Sequence, residues 1–231
     1  MTATDIWAVT KPDAAQADPT LDELRVILAP ALADAAVFDG WSREAVRFAA
    51  EGEGVDPEVA LLAFAGGRMN MVEAWIDSVD AAMAAAFPPE TLAALKVRER
   101  IRALVLFRLE QAEGREEALR RALSIMAMPR NAARSLRLGW RSADLMWRLA
   151  GDTATDYNHY TKRTILAGLY AATLAVFADD RSEGKADTRA FLDRRLDGVM
   201  RFEKIKARLA SPQRDGFSVL RFLGRLRYPE R

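Results

Sequence analysis

The stretch that decides the fold runs from Leu145 to Asp179 and reads LMWRLAGDTATDYNHYTKRTILAGLYAATLAVFAD. It contains no charged residue from Thr164 to Ala178. An uncharged segment shorter than about 18 residues is too short for a transmembrane span, and an all-apolar helix of a soluble protein is usually buried. We therefore predict one helix from Thr155 to Phe177, with a polar N-terminal half and a buried C-terminal half. A plain core helix that follows a polar loop is the alternative.

A cluster of polar and aromatic residues precedes the uncharged segment. Its members are Trp147, Asp152, Thr155, Asp156, Tyr157, Asn158, His159, Tyr160, Lys162 and Arg163. Aromatic side chains beside Asp, Asn and Arg are typical of protein-binding hot spots, although the aromatic members can equally be core residues. A helix surface cannot bury so many polar groups without a large desolvation cost. We therefore expect part of this cluster to face solvent or a partner.

The order of residues in and after this cluster resembles a known family. The matching positions are Trp147, Ala150-Gly151-Asp152, Thr155-Asp156-Tyr157-Asn158, Tyr160-Thr161, Arg163, Leu166-Ala167, Tyr170, Thr173, Asp180, Ser182, Thr188, Phe191-Leu192, Arg194-Arg195, Val199-Met200 and Phe202-Glu203. Further upstream, Phe38 to Ser42 reads FDGWS. Together these positions are similar to the coenzyme Q (ubiquinone) biosynthesis accessory proteins of the Coq-nine type.

The resemblance implies both a fold and a role. The implied fold is a TetR-like helical bundle, and the implied role is lipid binding without catalytic residues, cofactor or metal. The implied partners are an isoprenoid quinone or a similar lipid and the hydroxylase that acts on demethoxyubiquinone. One position departs from the family pattern, because animal members carry Trp where His159 stands.

Composition favours an all-α protein independently of the resemblance. Half of the 231 residues are hydrophobic, and Ala and Leu dominate with few β-branched runs. The formal net charge is only +1, but residues 1–60 carry 12 acids against 4 bases, and residues 194–231 carry 11 bases against 4 acids. Such asymmetry indicates that the C-terminal end meets an anionic surface.

The absence of cysteine excludes disulfides, thiolate catalysis and thiolate metal sites. The N-terminal residues lack a basic region followed by an apolar run, and they are acidic rather than Arg-rich. They therefore resemble neither a secretory signal nor a mitochondrial presequence. We expect a bacterial cytoplasmic protein that lies peripherally on the inner membrane.

Apolar periodicity and helix-breaking residues predict about nine to ten helices in one folding unit. We expect a flexible arm over 1–20, a helix-turn-helix-like part over 21–87, a helical lipid-binding domain over 88–210 and an amphipathic helix over 211–231.

Local signals predict several helix boundaries. Pro30 is expected to kink or end the first helix, and Ser42 to cap the second. Asp56-Pro57 starts the third helix. Pro88-Pro89 is expected to open a long helix that reaches about Glu113.

The helix-turn-helix outline carries the wrong charge for DNA. From Phe48 to Gly67 there are four acids and no base, whereas DNA affinity comes largely from Lys and Arg that neutralise phosphates. We therefore expect a degenerate helix-turn-helix that binds no nucleic acid.

The residue inventory gives little support for an enzyme. His159 is the only histidine. Asp156 lies three residues before it, but a carboxylate-bridged di-iron site needs two such pairs and two further carboxylates. Signature loops for a serine hydrolase, a nucleotide or a dinucleotide are absent from the sequence. An enzyme that uses two carboxylates as acid and base remains an alternative, because the sequence neither supports nor excludes such a pair.

Three groups of residues are candidate sites. For the lipid they are Met146, Leu166, Leu169, Tyr170, Leu174 and Phe177, where small neighbours let an elongated chain lie close to the helix. For the hydroxylase they are Trp147, Asp156, Asn158, Tyr160 and Arg163. For the membrane they are Val219, Leu220, Phe222, Leu223 and Leu226, with Arg221 and Arg225 on the opposite side of a helix over 215–228. A filled core and a helix that packs on protein are the respective alternatives.

The sequence leaves three functional classes in competition. The first is a non-enzymatic lipid-binding accessory protein of ubiquinone biosynthesis. The second is a TetR-like transcriptional regulator that senses an apolar ligand. The third is an enzyme with a carboxylate site, which the residue inventory neither supports nor excludes. A homodimer is expected by analogy with TetR-like folds.

Overall fold

The computed structural model describes residues 19–88, 90–153 and 157–210 of the chain, and these residues form nine α-helices without a strand. The helices are α1 (Leu21–Asp39), α2 (Arg43–Gly52), α3 (Pro57–Ala63), α4 (Arg68–Ala86), α5 (Val97–Glu110), α6 (Glu116–Met126), α7 (Ala132–Leu149), α8 (Tyr157–Asp179) and α9 (Ala186–Ala210). Short 3₁₀ turns at Pro129–Asn131 and Glu183–Lys185 precede α7 and α9. The prediction of an all-α bundle is confirmed. The arm over 1–18 and the helix expected over 215–228 lie outside the described residues.

Helix α1 continues through its proline, so Pro30 does not end the helix. The helix is capped by Thr20 and runs unbroken to Asp39. Pro30 lies on the exposed side, whereas Leu28 and Leu32 are fully buried on the other side. An interior proline costs about 3 kcal/mol, and each buried leucine returns about 1.5–3 kcal/mol. Burial along this helix therefore outweighs the lost hydrogen bond.

Predicted caps begin the next two helices. The Ser42 hydroxyl accepts a hydrogen bond from the Ala45 amide at 3.1 Å, and the Asp56 carboxylate accepts one from the Glu58 amide at 2.8 Å. These short helices pack on α1, and α1 also contacts α4 and α6. The N-terminal helices are thereby joined to one hydrophobic core that extends from Leu24 to Leu196.

Helix α5 begins later than the sequence predicts. The double proline does not open it, because residues 90–95 form turns and the helix starts at Val97. The Arg100 guanidinium donates hydrogen bonds to the carbonyls of Ala93 at 2.9 Å, Leu95 at 2.8 Å and Ala150 at 2.8 Å. These bonds satisfy backbone carbonyls that would otherwise lack a partner, and they hold the turn against the end of α7.

The loop before α9 is organised by one carboxylate. Asp180 accepts hydrogen bonds from the amides of Ser182 and Thr188, both at 2.8 Å, and from both hydroxyls. Burial raises the pKa of Asp180, but these hydrogen bonds outweigh burial and hold the pKa below its ordinary value. The charged carboxylate therefore stabilises the start of α9.

Helix α8 packs against α6, α7 and α9 and is the central element of the C-terminal half. Its prediction as one helix is confirmed, but it is not buried on all sides. Four residues at helical spacing on one side are exposed, and we call them the open stripe: Thr164, Gly168, Ala171 and Ala175. Within the part of the chain that the structure describes, no helix is long and apolar enough to cross a membrane.

Candidate functional site

An apolar cavity of about 620 Å³ lies between α4, α6, α7 and α8. Ligand sites for small molecules usually fall between about 300 and 1,000 Å³. Its principal apolar lining residues are Val72, Trp75, Ile76, Val79, Leu119, Leu123, Met126, Leu136, Leu138, Trp140, Tyr170 and Leu174. Leu136 on α7 is 76% exposed, whereas Leu138 two residues later is buried. The cavity therefore reaches from the core to the surface between α7 and α8.

The predicted lipid residues divide between this cavity and its surroundings. Tyr170 and Leu174 line the cavity. Leu169 instead lines a second, more open pocket of about 520 Å³ between α8 and α9. The other three, Met146, Leu166 and Phe177, are buried in the hydrophobic core and line neither pocket.

Small residues of α8 form part of the cavity wall. Ala167, Gly168 and Ala171 all line it. A Cβ added at Gly168 would meet no atom within 4 Å, so space is open beside the helix at that point. The exposed Gly168 and Ala171 place this wall at the surface mouth of the cavity.

A buried polar group forms one part of the cavity wall. Arg108 is only 3% exposed and pairs with Asp80, while its Nη2 lies 3.2 Å from the Ser142 hydroxyl. The Ser142 hydroxyl in turn donates to the Asp80 carboxylate, with Oδ2 at 3.1 Å. The Tyr170 ring lies against the guanidinium, 4.9 Å from its Cζ. Burial lowers the pKa of Arg108, but Tyr170 and Asp80 outweigh burial and raise it, so Arg108 stays charged.

The turn from α7 into α8 is held by a second network, which we call the turn cluster. Arg163 is 2% exposed and donates to Asp144 at 2.5 Å, to Asp152 at 3.2 Å and to the His159 carbonyl at 3.1 Å. Lys162 reaches the other Asp152 oxygen at 2.7 Å. Burial raises the pKa of Asp152, but Lys162 and Arg163 outweigh burial and lower it. The carboxylate therefore stays charged between two cations.

Two residues expected at the partner surface are thus partly or wholly internal. Arg163 lies beneath the surface, and its contacts hold the turn from α7 into α8. The Trp147 indole donates to the Lys162 carbonyl at 3.0 Å, and the Lys162 ammonium lies 5.4 Å from the centre of the Trp147 ring. Asp156 and the side chain of Asn158 lie outside the described residues.

Tyr160 is the predicted partner residue that the structure leaves most open. Its side chain is 62% exposed. The ring packs 5.9 Å from the ring of Trp140 and 5.2 Å from that of His159. Because Trp140 also lines the cavity, the exposed Tyr160 ring borders the cavity mouth.

Among the described residues, no three His, Cys, Asp or Glu side chains lie together as metal ligands would. Helix α3 carries Glu58 after its Asp56 cap and contains no Lys or Arg. The apolar cavity with its polar wall is therefore the main candidate site.

Comparisons with known proteins place this site in a family context. Residues 132–203 match the family model described as COQ9. The chain is 46% identical over 80 residues to the mitochondrial ubiquinone biosynthesis protein COQ9 of Rattus norvegicus. The aligned segment covers 35% of this chain and 26% of the rat protein. It is 25% identical over 202 residues to the Drosophila melanogaster protein of the same name, which covers 83% of this chain and 59% of the relative. The chain thus spans about a quarter of the length of the mammalian relative it matches and over half of the insect one.

One solved structure shows the fold. The TetR transcriptional regulator from Nitrosomonas europaea superposes with a TM-score of 0.59 at 20% sequence identity, covering 78% of this chain and 98% of the regulator. The TetR-like fold is therefore confirmed. The family comparisons confirm the resemblance to COQ9.

Proposed function

We propose that this chain, whose residues 132–203 match the COQ9 family model, is a lipid-binding accessory protein that presents an isoprenoid quinone intermediate to the demethoxyubiquinone hydroxylase. The observation that carries the proposal is the cavity of about 620 Å³ whose mouth adjoins the exposed Tyr160. The transfer of an apolar chain from water into such a cavity is favourable in free energy. A partner that contacts Tyr160 meets the ligand where it leaves the cavity.

The proposed role is non-enzymatic. The charged groups nearest the cavity, Arg108 and Asp80, pair with each other. The charged groups at the turn cluster are likewise paired. Both arrangements stabilise the structure. Neither leaves an unpaired side chain that could act as a general acid or base. The reaction belongs, in this proposal, to the hydroxylase.

Delivery requires contact with the membrane that holds the quinone tail. The amphipathic pattern over 215–228 supplies that contact in our proposal, with arginines toward lipid phosphates. This segment lies outside the described residues, so the support comes from its sequence alone. The location proposed is the inner surface of a bacterial inner membrane. The relatives named above are mitochondrial proteins.

Blocking the cavity tests the proposal. Ala171 lines the mouth, and Ala175, one turn further along the open stripe, is exposed but does not line it. We expect Ala171→Trp to fill the mouth and to remove the quinone lipid that co-purifies with the protein, as seen by native mass spectrometry. Ala175→Trp adds the same ring outside the cavity and should retain the lipid. Equal lipid content in both variants, or no lipid in the wild-type protein purified from quinone-producing cells, contradicts the proposal.

A TetR-like regulator is the second candidate, because the similar solved structure is a TetR transcriptional regulator. The charge of the helix-turn-helix-like part argues against it. Helix α3 has no basic residue, and Glu58 lies 3.5 Å from Arg47, which it partly neutralises. An electrophoretic shift assay at low salt should show no complex with duplex DNA. A sequence-specific complex there would favour the regulator.

We also propose a homodimer, by analogy with TetR-like folds. Helix pairs near the C-terminus serve as the dimer interface in TetR-like folds, and α8 and α9 form a packed pair with an open pocket between them. Sedimentation equilibrium measures the state directly, and a monomer at all accessible concentrations would contradict it.

A further inference from the structure

We propose that Arg108 recognises a neutral oxygen acceptor, such as a ring carbonyl or an ether oxygen, at the inner end of the ligand. This inference rests on the proposed function, because it specifies the chemistry of the molecule that the cavity binds. It makes Arg108 a specificity-determining residue rather than only a buried structural charge.

The hydrogen bonds of Arg108 leave one of its three nitrogens without a partner. Its Nη1 donates to Asp80 and its Nη2 to the Ser142 hydroxyl at 3.2 Å. Its Nε is buried and has no hydrogen-bond partner. Buried donors in native proteins are nearly always satisfied, and a lone one calls for an explanation. Since Arg108 lines the cavity, a ligand oxygen is a partner that the protein itself does not supply.

The surroundings of Arg108 make such a bond selective. The rest of the lining is mainly apolar, with the Ser142 hydroxyl and Tyr170 near the guanidinium. An acceptor in the ligand therefore has one strong donor to meet, while its chain lies along apolar walls. Hydrogen bonds to charged groups contribute more than neutral ones when both partners are removed from water.

The charge balance around Arg108 favours a neutral acceptor over an anionic one. Asp80 already pairs with Arg108. Nearby, Arg141 pairs with Asp77, and Arg134 with Glu73. These three arginines and three carboxylates sum to zero. A carboxylate on the ligand would lose its hydration and would compete with Asp80 for the guanidinium, whereas a carbonyl needs only the free Nε–H.

Three matched probes test this chemistry: decylbenzene, decyl-1,4-benzoquinone and 4-decylbenzoate. They share a ring and a ten-carbon chain and differ in offering no acceptor, a neutral acceptor or an anion. The measurement is the dissociation constant from displacement of a fluorescent apolar dye, for the wild-type protein and for variants. Binding of none of the probes by the wild-type protein contradicts the proposed lipid-binding function itself.

The principal variant is the double substitution Asp80→Leu/Arg108→Met. It removes both members of the pair, because removing one alone would leave an uncompensated buried charge. We expect it to weaken quinone binding about tenfold and to leave decylbenzene binding unchanged. Ser142→Ala keeps the Nε donor and should retain the wild-type preference. Equal effects on quinone and decylbenzene would overturn the inference, as would a larger loss for the benzoate than for the quinone.

One further test uses only the wild-type protein, so its result does not depend on whether a variant folds. Infrared difference spectroscopy reports the carbonyl stretching band of the bound quinone. A hydrogen bond from Arg108 should shift one carbonyl band to lower frequency than in hexane. A bound quinone with both bands at their hexane positions would refute a contact with Arg108.

Discussion

Substitution of Arg163 by methionine separates a supporting role from a partner contact. The guanidinium is 2% exposed and links Asp144, Asp152 and the His159 carbonyl. Methionine keeps much of the side-chain volume but removes every one of these bonds. The substitution therefore leaves two carboxylates with fewer partners at the turn from α7 into α8.

The expected loss of stability follows from what those carboxylates retain. Breaking a buried ion pair by removing one partner costs about 3–5 kcal/mol. Here Asp152 keeps Lys162 at 2.7 Å, and Asp144 keeps Arg148 at 3.0 Å. The Asp144 side chain is also 25% exposed, so water replaces part of the lost bond. We therefore expect a loss near the lower end, about 3 kcal/mol in the free energy of unfolding.

The assay compares Arg163→Met with Tyr160→Ala by urea unfolding and by binding to purified demethoxyubiquinone hydroxylase. Tyr160 is exposed, so its truncation should cost about 1 kcal/mol or less in stability. Because we expect Tyr160 to be a binding hot spot, Tyr160→Ala should weaken hydroxylase binding by about 2 kcal/mol or more. Arg163→Met, measured at a temperature where it is folded, should retain most of its binding. A stable Arg163→Met protein that fails to bind would show that Arg163 contacts the partner and would refute the supporting role.

Three further predictions concern the helices and the membrane. Gly168→Ala should raise the free energy of unfolding by about 0.5–1 kcal/mol, because the added Cβ meets open space. Gly151→Ala should lower the free energy of unfolding by about 1–2 kcal/mol, because Gly151 has φ +85° and an added Cβ would lie 3.0 Å from Arg100. Urea unfolding measures both changes. Asp180 has a lowered pKa, so its stabilisation is present above the ordinary carboxyl pKa of about 3.9 and is lost as the pH falls through the folded-state value. Asp180→Asn should therefore be less stable than the wild type at pH 7 and should show a smaller loss between pH 7 and about pH 3 in urea titrations; equal pH dependence would contradict this. Deletion of residues 213–231 should abolish salt-sensitive binding to anionic liposomes in a flotation assay, and equal binding by both proteins would show that this segment is not the anchor.

Helix boundaries were predictable where the signal is local. Ser42 and Asp56 cap α2 and α3 through bonds to amides two or three residues away, and such bonds depend only on neighbouring sequence. The start of α5 was not predictable, because Arg100 reaches the carbonyl of Ala150, fifty residues further along the chain. Pro30 likewise follows its tertiary environment, since burial on the opposite side of α1 keeps the helix intact.

The sequence indicated the polar cluster as a candidate partner site, which stays a prediction, but the division of its residues between interior and surface was not predictable. Arg163, Tyr160 and Trp147 lie in one motif of the sequence. Only the approach of α7 shows that Asp144 faces Arg163 at 2.5 Å, while Tyr160 meets Trp140 at the cavity mouth. The polar wall was missed for the same reason, since Asp80, Arg108 and Ser142 come from three different helices.

The uncharged part of α8 shows why a helix that lines a cavity can be read as a core helix. Leu166, Thr173 and Phe177 face the core, and Tyr170 and Leu174 face the cavity. The open stripe carries small or weakly polar residues instead of charges. Charge is therefore absent on every side, and the apolar periodicity that identifies a half-exposed helix is lost. What distinguishes the sides is side-chain size, because large residues fill the core while Gly168 and Ala171 leave room at the mouth. A helix that is uncharged on all sides and carries small residues on one side is consequently as consistent with a ligand surface as with a packed core.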